Sequence, residues 1–154
     1  MEHMDDLKRA YKTSLIINSG IIAGFVIYAV IIEFLKSRYN PFEGFVDLAQ
    51  IAFLRYILYG LAILLIFIVR VLRGTLLRTS PSDDAKTLIT KLSRASIATA
   101  ALCEVPVVFG LVLFLIGGHS RDFYLLLGLS FIIVFLYFPR YRNWEEWLRI
   151  KKEI

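Results

Sequence analysis

The chain has 154 residues, enough for one domain, and 58% of them are hydrophobic; with a mean hydropathy of +0.66 it lies outside the range of about 45–50% apolar typical of soluble domains. The net charge of +5 is therefore read from where Lys and Arg fall between apolar runs, and not as a sign of nucleic-acid binding. A single cysteine, Cys103, excludes a disulfide framework or a paired-thiol motif within the chain.

The N-terminus, MEHMDDLKRAYKTS, mixes acids and bases and leads into an apolar run too long for a signal-peptide core. It reads as a short cytoplasmic lead into a membrane helix. About 20 apolar residues cross a hydrocarbon core about 30 Å thick, and the sequence predicts four such spans, at residues 14–35, 48–71, 95–117 and 123–138. The fold class expected is all-α, a single four-helix transmembrane domain. The first span carries GIIAG, a GxxxG motif at Gly20 and Gly24, with Asn18 just before it; small residues at that spacing let two membrane helices approach closely. Before the second span, KSRYNPFEGFVD has turn chemistry in Asn40-Pro41 and Gly44, and Asp47 is placed to cap the helix.

The loop TSPSDDAKTLITKLSR offers Ser80 as an N-cap, Pro81 at the first helical position and Asp83 and Asp84 in the first turn. Leu88, Ile89 and Leu92 form one apolar stripe, so the third span is expected to begin as a helix already outside the membrane. Ser96, Ala100, Cys103, Val107 and Gly110 make a narrow small-residue stripe for packing. The tail after Pro139 places Tyr141, Trp144 and Leu148 on one helical face, and together with Trp147 and the surrounding bases it suits a helix lying at the membrane interface. Fourteen Lys and Arg fall on the side of the termini and only Lys36, Arg38, Arg55 and Arg121 on the other, which predicts both termini and the middle loop in the cytoplasm.

The sequence carries no phosphate-cradling glycine loop, no nucleophile elbow and no Cys/His cluster, and His3 and His119 fall on opposite sides. No catalytic residue, metal or cofactor is expected. Attention falls instead on ionisable residues inside the spans, costly at the midplane by about 2.5–3.5 kcal/mol on insertion scales. Glu104 is the deepest, about 3 Å from the centre of its span by helix rise. Pro106 removes the N–H that would bond the Leu102 carbonyl and so frees an acceptor one turn from the carboxylate. This pair forms either a proton or cation perch or a structural hydrogen-bonding point. Arg55 and Glu33, roughly 7 and 13 Å from their span centres, are the first pair expected across the first two spans; the alternatives are Arg55 reaching Glu104, about 10 Å away along the membrane normal, and Arg55 snorkelling outward.

The segment EVPVVFGLV resembles the carboxylate-bearing helix of the rotary ATPase proteolipids, the subunit c family. There a Glu precedes a short apolar step and an aromatic-Gly-Leu-Val run. The resemblance implies that Glu104 would bind a translocated proton or sodium ion. It covers about one helix in four; the preceding helix here, FLRYILYGLAILLIFIVRVLRG, is bulky and carries Arg55 and Arg70 where the family is glycine-rich. The functional expectation is a non-enzymatic accessory or structural subunit of a bacterial inner membrane. Its partners would be the lipid bilayer and either further copies of itself or a larger membrane complex, with no nucleic acid. Ion translocation through Glu104 is the alternative.

Overall fold

The computed structural model describes residues 2–39, 42, 44–46, 48–80 and 83–152. It is all-helical over these residues, with α1 at Glu2–Arg38, α2 at Leu48–Leu76, α3 at Ala85–Gly117, α4 at Ser120–Tyr137 and α5 at Tyr141–Lys152. The first four are long and apolar enough to cross a membrane, the architecture of a multi-pass membrane protein. α1 begins well before its expected span. Its 37 residues would extend about 55 Å at the rise of an α-helix, so one end must project beyond the hydrocarbon. The turn expected at Asn40-Pro41 and the cap expected at Asp47 lie outside the described residues.

Helix α3 is the hub. Only 17% of the apolar window of α1, and likewise of α2, is buried inside the protein, against 44% for α3. α1, α2 and α4 each pack on it. α1 runs parallel to α3, because the hydrogen-bonded pairs Ser14–Ser93, Asn18–Ser96 and Tyr28–Glu104 keep nearly constant separations of 79, 78 and 76 residues. α4 returns antiparallel after a two-residue turn. Gly118, at φ 71°, closes that turn and its N–H caps the Phe114 carbonyl, a left-handed position that suits glycine. The main core gathers Phe25, Val69, Val107, Phe114, Phe123 and Val134 from all four helices.

Close approach of α3 and α4 depends on Gly110. A Cβ there would lie 2.9 Å from the Phe123 Cα and 3.2 Å from its carbonyl oxygen. Ser96, Ala100, Cys103 and Val107 are likewise buried, so the small-residue stripe is consumed inside the protein. On the side away from the termini, the N–H groups of Phe45 and Val46 both donate to the Ile116 carbonyl, at 2.8 and 3.0 Å. Gly44, at φ 79°, brings the chain over the end of α3.

On the terminal side α3 starts at Ala85, and its N-cap is Asp84 rather than the expected Ser80; the Asp84 carboxylate accepts the Thr87 N–H at 2.8 Å. The turn before it is closed by Asp83, which accepts from the Ser80 N–H and from the Lys91 ammonium. Those two bonds, Lys91 first, hold the Asp83 carboxyl below the usual carboxylate range. The early turns of α3 then bury Leu88, Ile89 and Leu92 against Leu7, Trp144 and Leu148. Trp144, expected at the lipid interface, is therefore 3% exposed and packed on protein. The extension of α3 supplies the apolar partners that lipid would otherwise have provided. Tyr141 and Trp147 border the same cluster, with Tyr141 edge-on to Tyr11 at 5.4 Å.

Candidate functional site

The seam between α1 and α3 carries polar residues at intervals along its length. Ser14 and Asn18 are buried, because the face of α1 that carries them turns toward Ser93 and Ser96 of α3. The Asn18 side-chain N–H₂ also donates to the Ser14 carbonyl at 2.8 Å, so its donor end is engaged within the protein. Ten residues further along α1, the Tyr28 hydroxyl donates to Glu104 Oε1 at 2.6 Å. A short bond of this kind is the geometry expected when a hydroxyl meets a carboxylate. Glu104 is half-buried and faces protein on its α1 side. Pro106 is fully buried within α3; the helix continues through it, and the Leu102 carbonyl loses its usual backbone donor. Carboxylate and phenol thus form one polar pair within an otherwise apolar span.

Arg55 and Glu33 do not pair. Arg55 Nη2 donates to Asp122 Oδ1 at 2.7 Å, and the Tyr59 hydroxyl donates to the same oxygen at 3.0 Å. Asp122 is 1% exposed, in the first turn of α4, where a carboxylate also meets the positive end of the helix dipole. Glu33 instead takes Lys36, one turn along α1, at 2.9 Å and the Tyr124 hydroxyl of α4. The physical reason is proximity: the turn at Gly118 brings a buried acid of α4 opposite Arg55, and a buried charge must be paired. Glu33, with 57% of its side chain exposed, has no such need.

Asp122, Tyr28 and Tyr59 were not evident as site residues from sequence. Asp122 sits in GGHSRD, which reads as a loop. The signal that points to it is Arg55, since an arginine inside a membrane helix calls for an acid partner. Gly20 and Gly24 lie elsewhere: nothing stands within 4 Å of where a Cβ would be at either one. Among the described residues no three His, Cys, Asp or Glu side chains stand close enough to share a metal. Comparison with protein-family models, curated proteins and solved structures finds no match to this chain.

Proposed function

We propose that the chain is a non-enzymatic integral membrane protein of a bacterial inner membrane, with both termini cytoplasmic, that works through helix–helix contacts with further copies of itself or within a larger membrane complex. The observation that carries this reading is the open glycine notch on α1. Gly110 of α3 is filled by α4, whereas Gly20 and Gly24 meet nothing. Around them Ile16, Ile27, Val30 and Phe34 are each more than half exposed, and their spacing aligns them with the glycines on one face of the helix. A groove of small residues between large ones is the shape into which a second membrane helix packs.

Replacing Gly20 and Gly24 with Leu is the test. The added Cβ atoms meet nothing within 4 Å, so helicity and thermal stability in detergent are expected to stay at or above native values. Self-association, followed by cross-linking in proteoliposomes and by sedimentation in detergent, is expected to weaken by about tenfold or more, the effect of roughly 1.4 kcal/mol of overpacking. Unchanged association in the variant, or a native chain that is monomeric by both methods and copurifies with no partner, would sink this reading.

A second reading, proton or cation handling at Glu104, is favoured by the Tyr28 bond to a carboxylate within an apolar span. The weak likeness to the proteolipid helix points the same way. Glu104→Gln keeps hydrogen bonding and abolishes titration. If native proteoliposomes conduct protons or sodium and the folded variant loses that flux, the purely structural reading fails. If native proteoliposomes conduct nothing, or the variant conducts as well, the transport reading fails.

A further inference from the structure

A groove of about 550 Å³ lies between α1 and α4. Phe25, Leu127 and Phe131 line it, with the Phe25 and Phe131 rings edge-on at 5.2 Å and Phe25 fully buried. Val26, Val30 and Phe34 line it as well, and each is more than half exposed, so the groove opens on the surface that faces the membrane. Its polar lining comes from Glu33 and Ser37, in the last turns of α1. A concave apolar surface with a few polar groups at one end has the make-up of a ligand site.

The polar end has bonding capacity to spare. Glu33 accepts from the Lys36 ammonium and the Tyr124 hydroxyl, both on Oε1, and among the described residues Oε2 has no partner. An ammonium carries three donors, of which Glu33 engages one of those on Lys36. Both side chains remain accessible, 57% exposed for Glu33 and 39% for Lys36. The pair therefore offers an acceptor and further donors with no net charge, the complement of a zwitterion that carries an ammonium and a phosphate. The length of the groove points to a lipid. α1 rises about 18 Å from Phe25 to Ser37, close to the depth of one leaflet, half of a hydrocarbon core about 30 Å thick. A second membrane helix would cross both leaflets, whereas an acyl chain is confined to one. By helical geometry Val30 and Phe34 form the ridge between this groove and the Gly20–Gly24 notch, so a lipid here leaves the notch free.

We propose that the groove between α1 and α4 holds an acyl chain of a zwitterionic phospholipid with a primary-amine headgroup, from the leaflet on the side away from the termini. Its ammonium donates to Glu33 Oε2, and its phosphate accepts from Lys36. A quaternary ammonium has no N–H to donate, and a headgroup of net negative charge is repelled by the Glu33 carboxylate, so the site separates these lipids by their headgroups.

The test is native mass spectrometry of the full chain released from detergent after titration with phosphatidylethanolamine, phosphatidylcholine or phosphatidylglycerol. The native chain is expected to retain one phosphatidylethanolamine with about tenfold preference over either of the others, and Glu33→Gln to lose that preference, the effect of one charge-assisted hydrogen bond. Glu146→Gln, which removes an exposed acid of α5, is expected to bind as the native chain does. If Glu33→Gln does not fold by circular dichroism, Val26→Trp, at an exposed position that lines the groove, carries the test and should lower retention of phosphatidylethanolamine severalfold. A native chain that holds phosphatidylcholine or phosphatidylglycerol as well as phosphatidylethanolamine overturns the proposal. So does native-like preference in Glu33→Gln or, where that variant does not fold, native-like retention by Val26→Trp. A dimer that carries no lipid and that Val26→Trp disrupts would place a second copy in the groove and overturn the lipid assignment.

Discussion

Arg55→Met is expected to lower the unfolding free energy by about 3 kcal/mol, the low end for breaking a buried ion pair. The low end applies because the pair is asymmetric: 42% of the Arg55 side chain is exposed, against 2% for Asp122. What the substitution leaves behind matters more than what it removes. Asp122 stays buried with only the Tyr59 hydroxyl at 3.0 Å, so the desolvation of its charge goes largely uncompensated. Tyr59→Phe leaves the charge pair in place and should cost only about 0.6 kcal/mol, typical of one hydrogen bond between membrane helices. Removing both charges, Arg55→Met with Asp122→Leu, should recover most of the loss, because a well-packed apolar pair often replaces a buried ion pair without penalty. Unfolding in mixed micelles, followed by circular dichroism, measures all three. A loss below about 0.5 kcal/mol for Arg55→Met, the size of an ordinary surface change, would mean that the pair does not tie α2 to α4.

That pair also shows where the sequence was legible. Apolar run length placed each span on one helix, save Phe138 just past the end of α4, because twenty apolar residues have few alternatives to a helix in a membrane. The stripe of Leu88, Ile89 and Leu92 foretold that α3 would begin beyond its span. Its partners could not be read, since the packing of Trp144 and Leu148 onto it depends on where the tail returns. Glu104 was visible as a carboxylate in an apolar helix. Its partner Tyr28 was hidden among aromatic residues that occur throughout such spans. Arg55 was visible too, but depth alone cannot choose between acids: Glu33 was near in height, while Asp122 was brought into reach by the turn at Gly118. Periodicity tells which face of a helix is small or polar, and it is silent on which neighbour that face meets. Gly20–Gly24 and Gly110 read alike in sequence, yet only Gly110 meets another helix within the chain.

That difference sets the second large effect. Gly110→Leu is expected to destabilise by about 3 kcal/mol, near the upper end for overpacking, even though a non-glycine residue returns roughly 1 kcal/mol of helix propensity. The first added carbon meets the Phe123 Cα at 2.9 Å and its carbonyl oxygen at 3.2 Å. These are backbone atoms of a helix and cannot rotate aside as a side chain would, so α3 and α4 must separate. Separation would pull apart the core around Val107, Phe114 and Phe123 and shift Asp122, one residue from Phe123, away from Arg55. Non-additivity should follow: Gly110→Leu and Arg55→Met together should cost less than the two separate losses, because the first already strains the contact that the second removes. Gly24→Leu makes the same chemical change on α1, where nothing stands within 4 Å of the added Cβ, and should leave the chain as stable as the native one or more stable by up to about 1 kcal/mol of helix propensity. If the two leucine variants unfold alike in mixed micelles, the close approach at Gly110 is not what holds α3 against α4.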